Sequence, residues 1–110
     1  MYTLNGYGAA IWGNRMMKVN LKILGLPTLS RVTGKELDVN FEGKTVNDLI
    51  GYIAKRHGRK AEEALLDEEG KLDITIQVLL NGREWITHDR LDTILKDGDS
   101  IALMLMVAGG

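Results

Sequence analysis

From Met17 onward the chain alternates. Met17, Val19, Leu21 and Ile23 are apolar, and Lys18, Asn20 and Lys22 between them are polar. That period of two belongs to a half-buried strand. Leu37, Val39 and Phe41 repeat it against Asp38, Asn40 and Glu42. The breaker-rich LPTLSRVTG between the two runs reads as a long, mobile loop, and the two strands as a hairpin. After Gly43 the period changes. Val46, Leu49, Ile50 and Ile53 fall at i, i+3, i+4 and i+7, which predicts an amphipathic helix. Thr45 stands at its N-cap with Asp48 three residues on, a carboxylate form of the capping box. Gly58 marks its end, behind Lys55, Arg56 and His57. RKAEEALLDEEG predicts a short second helix with Ala61, Ala64 and Leu65 inward.

The stretch ITIQVLL is a third strand. It runs into Asn81-Gly82, a pair that tolerates positive φ and predicts a tight turn into REWI. A one-turn helix around RLDTIL, a turn at Asp97-Gly98-Asp99 and a final strand complete the order strand, strand, helix, strand, short strand, strand. A helix inserted after a hairpin has its apolar stripe to bury and must cover one face of the sheet. The expected architecture is α+β: a ubiquitin-like β-grasp roll, a mixed sheet with one main helix on one face.

Composition narrows the function without supplying one. The 110 residues are enough for a single domain that buries its own core. A formal net charge of −1 gives no electrostatic reason to expect nucleic acid or an anionic membrane as partner. Cysteine is absent, which excludes disulfides, thiolate metal sites and cysteine nucleophiles on this chain. No run approaches the roughly 20 apolar residues of a bilayer span, and the opening MYTLNGYGAAIWGNRM makes a poor signal peptide. A cytoplasmic protein is expected. Residues 1–16, with three glycines and no regular period, read as a flexible extension. The sharper alternative packs Tyr7 and Trp12 as an extra edge element. The domain proper spans 17–110.

Candidate chemistry is sparse. His57 and His88 lack metal-ligand spacing, Asp97 and Asp99 belong to a turn rather than a calcium loop, and no nucleophile elbow or phosphate-binding glycine loop is present. No bound metal or cofactor is expected. The ending SIALMLMVAGG is the exception. Ile101, Leu103, Leu105 and Val107 form one face of the last strand, yet Ala102, Met104 and Met106 on the other are apolar too. Leu24 and Leu79 fall on the same outward parity in their strands. An exposed apolar surface of this kind marks docking to a partner, unless residues 1–16 or a second copy cover it. Beyond it, Gly109 and Gly110 carry no side chains and suit passage through a narrow channel. Val107 to Gly110 reach roughly 13 Å beyond the sheet at about 3.3–3.6 Å per extended residue. A free carboxylate there is ionised and a poor electrophile until an ATP-using partner activates it.

The element order, LKDGDSIAL before the last strand and the terminal VAGG together resemble the ubiquitin-like sulfur carriers, which include the molybdopterin synthase small subunit and the thiamine-biosynthesis carrier. The resemblance covers residues 17–110. It implies that an E1-like adenylating enzyme activates Gly110 with ATP and that sulfur transfer makes a thiocarboxylate. In that scheme Gly109 gives the slim approach, and Val107 and Ala108 line the tail's entry into the partner. The partner is the larger catalytic subunit of a synthase or another sulfur acceptor, and the chain is a carrier, not an enzyme. Many molybdopterin-type carriers have a proline-containing stretch where this chain has Leu105-Met106, a departure that lets the strand run further. A protein modifier attached through Gly110, and a plain interaction module, are the competing readings.

Overall fold

The computed structural model describes residues 16–105. It contains, in chain order, β1 (Met17–Leu24), α1 (Pro27–Thr33), β2 (Glu36–Phe41), α2 (Val46–Arg56), α3 (Arg59–Leu65), β3 (Ile76–Leu80), β4 (Glu84–Ile86), a 3-10 turn (His88–Arg90) and β5 (Ser100–Leu105). The strands form one five-stranded mixed sheet in the order β2-β1-β5-β3-β4. β1 and β2 are antiparallel, with Met17 opposite Phe41, and the last strand enters the centre, parallel to β1 and antiparallel to β3. This is the expected β-grasp.

Local chemistry explains the elements. The Thr45 hydroxyl accepts the Asp48 N–H at 3.0 Å, and the Asp48 carboxylate accepts the Thr45 N–H at 3.1 Å and the Lys44 N–H at 2.9 Å. The capping box is therefore complete, and a cap of this kind contributes about 1 kcal/mol. Asn81 (φ 53°) and Gly82 (φ 70°) both take the left-handed conformation, and the Arg83 N–H closes the tight turn on the Leu80 carbonyl at 3.0 Å; with Leu80 opposite Glu84 the connection is three residues long. The acidic turn joins strand beginnings. Asp97 accepts the Lys18 N–H at 2.7 Å, the Gly98 N–H donates to the Lys18 carbonyl, and the Asp99 carbonyl accepts the Asn20 N–H. It thereby fastens the start of β1 to the start of β5.

The helix face of the sheet carries the core. Val19, Leu21, Ile23, Phe41, Val78, Ile101 and Leu103 pack there with Leu29 of α1, Leu49, Ile50 and Ile53 of α2 and Leu65 of α3. Two expectations need correcting. The segment 26–34 is not a mobile loop: Pro27 opens α1 at a position that tolerates its missing N–H, and the helix drives Leu29 into full burial. α1 and α3 thus join α2 on that face. ITIQVLL is shorter as a strand than it reads, because the Asp73 carboxylate accepts both the N–H and the hydroxyl of Thr75. That turn leaves Ile74 outside the sheet, 73% exposed. In α3, Ala61 and Leu65 are buried as expected and Ala64 is half-buried. No helix among the described residues is long and apolar enough to cross a membrane.

Candidate functional site

β5 is the central strand, and its neighbours stop together near Leu105, the exit end of the described sheet. Its parallel partner stops where Leu24 lies opposite Met104, and Gly25 then turns the chain away at φ 70°. On the other side Ile76, the first residue of β3, lies opposite Leu105. Both neighbouring strands therefore end within one residue of each other, beside Met104 and Leu105. Leu105 shares the inward parity of Ile101 and Leu103, yet it is 42% exposed because the sheet has run out beside it.

The outer face of the sheet is divided. Register places Trp85, Leu79, Ala102, Lys22 and Glu36 in one row across all five strands. The row nearer the exit is Gln77, Met104 and Leu24. Toward β2 the surface is polar: Asn20 Nδ2 donates to Glu36 at 3.1 Å and to Asp38 at 3.2 Å. Toward β3 and β4, and along the exit, it is mainly apolar, with Gln77 the polar member of its row.

The sequence-derived residues sort accordingly. Leu24 is 47% exposed at the exit, and Met104 and Leu79 are half-buried beside it. Ala102 is a correction. It was expected in the exposed patch but is only 9% exposed, because its single methyl group lies at the sheet centre between the longer side chains of Lys22 and Leu79. It is a floor to the patch, not a contact. Trp85, 52% exposed, is a member that sequence reasoning missed. The signal was present in REWI, where alternation about an inward Ile86 sends Trp85 outward. Met106, Val107, Ala108, Gly109 and Gly110 lie outside the described residues, as do 1–15 of the N-terminal extension.

The titratable groups that stand out serve structure. The backbone N–H of Lys44, then that of Thr45, holds the Asp48 carboxyl below the usual range. Hydrogen bonds from Thr75 do the same for Asp73, and the Thr87 hydroxyl for Asp89. No cluster of three metal-ligating side chains is found among the described residues. The chemistry on offer is a surface and an exit.

A mixed five-stranded β-grasp sheet with its helices on one face and an apolar half-face on the other defines a small ubiquitin-like protein. The ThiS family profile matches residues 27–110, and the chain belongs to that family of ubiquitin-like sulfur carriers. The "Putative sulfur carrier protein" of Archaeoglobus fulgidus is 32% identical over 75 residues, 68% of this chain and 84% of the relative. The solution structure of small archaeal modifier protein 1 from Methanosarcina acetivorans is 28% identical, with a TM-score of 0.65 over 87% of this chain and 99% of that one. A chain of the Amycolatopsis orientalis BexX/CysO complex is 34% identical, with a TM-score of 0.58 over 84% and 99%.

Proposed function

We propose that this protein carries sulfur on the carboxylate of Gly110 and serves cofactor biosynthesis as the small subunit of a molybdopterin-type synthase. The observation that supports this most is the simultaneous end of β1 and β3 around Leu105, shortly before Gly109 and Gly110 in the sequence. An E1-like enzyme transfers AMP from ATP to the carboxylate and releases pyrophosphate. A sulfide-level nucleophile then attacks the acyl carbon, a C–S bond forms and AMP departs. Gly109 lets the backbone enter a channel too narrow for a side chain, with Val107 and Ala108 at its mouth. Leu24, Leu79, Met104 and Trp85 dock on the activating enzyme and on the larger catalytic subunit, with Met106 continuing that surface. The protein supplies the acceptor and no catalytic group, works in the cytoplasm and binds no cofactor itself.

The relationship to an archaeal modifier protein supports a second reading, in which Gly110 is joined to lysines of other proteins. Both readings begin with the same adenylate, and the mass of the activated chain tests that step. Loss of the cofactor on gene deletion favours the first, and isopeptide-linked adducts in extracts favour the second.

A further inference from the structure

A groove of about 630 Å³ opens between α1, α3 and the end of β5, on the helix face of the sheet. That volume lies in the range of sites that hold a small ligand or a short run of peptide. Helical spacing builds its two walls. Thr28, Arg31 and Val32 of α1 line it, and so do Lys60, Glu63 and Ala64 of α3. Each set falls at i, i+3 and i+4, one face of a helix. Ala64 ends at its β-carbon, so α3 puts no bulk into the gap there. Apolar surface stays open as a result: Leu26, Val32 and Ala64 are half-buried, and Leu105 beside them is 42% exposed. The charge of the rim is unbalanced. Glu63 is engaged by Arg59 at 3.0 Å, whereas Arg31 and Lys60, both exposed, form no ion pair among the described residues. Leu24 belongs to the outer row of the sheet and Leu26, beyond the Gly25 turn, to the groove, so the two surfaces are separate.

We propose that this groove docks a short segment of a partner protein in which leucine-like side chains are flanked by acidic ones. The apolar side chains cover Leu26, Val32, Ala64 and Leu105, and the carboxylates meet Arg31 and Lys60. Charge complementarity selects this occupant. Arg31 and Lys60 stand on different helices, one on each wall, so a segment lying between them has positive charge on both sides. A basic segment meets two like charges there, and an uncharged one gains nothing from either cation. The apolar floor supplies contact area, while the two cations supply orientation and discrimination. Docking here uses no atom of Gly110 and needs no activation of the chain.

The test is amide NMR on the full chain, titrated with a short peptide of leucines flanked by glutamates. The peptide is acetylated and amidated, so its only charges are side-chain carboxylates. Two sister peptides replace every glutamate by glutamine or by lysine. Docking predicts saturable shifts at Thr28, Arg31, Val32, Lys60 and Ala64, with the glutamine peptide about fivefold weaker, as loss of two exposed ion pairs implies. The lysine peptide should be weaker still. R31E/K60E changes two exposed side chains, so it should keep the fold and reverse the order, with the lysine peptide binding best. Equal affinity for all three peptides, an unchanged order in R31E/K60E, or no saturable shift would overturn the proposal. Shifts confined to Leu79, Trp85 and Met104 would overturn it too, by moving the site to the outer face. Groove shifts that appear when the protein alone is concentrated would assign the groove to a second copy and overturn it as well. Since Gly110 is never activated in these titrations, neither result bears on its proposed chemistry.

Discussion

Gly25 and Leu105 meet where β1 and β5 part: a β-carbon placed on Gly25 would lie 3.8 Å from the Cβ of Leu105. The contact is ordinary, so space does not demand glycine there. The backbone does, because φ is 70° and L side chains resist that conformation. Gly25→Ala should lower stability by about 1 kcal/mol through strain alone. Chemical denaturation should show an earlier midpoint with an unchanged slope.

Gly43 is held by space instead. A β-carbon there would stand 2.7 Å from the Phe41 ring and 2.8 Å from Cβ of Asp48. Phe41 is fully buried and cannot swing clear. Gly43→Ala should destabilise by about 1–3 kcal/mol, the usual range for overpacking, seen as a clear fall in Tm.

The outer face separates binding from stability. Trp85→Ala should weaken binding to the activating enzyme about tenfold or more, as loss of an exposed aromatic anchor does, while stability changes by about 0.5 kcal/mol or less. Val78→Asp should do the reverse in the free protein, because Val78 is fully buried in the core on the helix face and a carboxylate there is left without a partner. Titration calorimetry and thermal melts on both variants check the division. Equal losses of Tm would show that Trp85 is core.

Asp48 ties stability to pH. Its carboxyl is lowered by the Lys44 N–H first and the Thr45 N–H second, so the folded state holds the ionised form more tightly than the unfolded chain does. The stabilisation is fully present above the unfolded value of about 3.9 and is lost as pH falls through the lower folded value. Asp48→Asn should be less stable than the parent at pH 7, with the gap closing below about pH 4. Denaturation midpoints at the two pH values check it.

The parts of the fold that local chemistry specifies were readable in the sequence. Alternation placed β1 and β2, Thr45 with Asp48 placed the start of α2, and Asn81-Gly82 placed the β3–β4 turn. Segment 26–34 misled because Pro27 is both a helix starter and a loop residue, and the seven-residue α1 buries only Leu29. The proposed docking face was half legible. Parity identified Leu24, Leu79 and Met104, but the burial of Ala102 depends on which long side chains flank it, and register alone decides that. Trp85 escaped because β4 is three residues long, too short for a pattern to stand out.

Activation itself has a simple control. Gly109→Val should fold like the parent, since the buried core of the described residues lies within 19–103, yet fail to be adenylated because a branched side chain blocks the channel. Pyrophosphate release by the activating enzyme reads this directly.

The most direct test is intact mass spectrometry of the untagged chain after incubation with ATP, its E1-like enzyme and a sulfide source. The account predicts a gain of about 16 Da, sulfur for oxygen, localised to Gly110. An unchanged mass, under conditions where the enzyme activates another carrier, would contradict it.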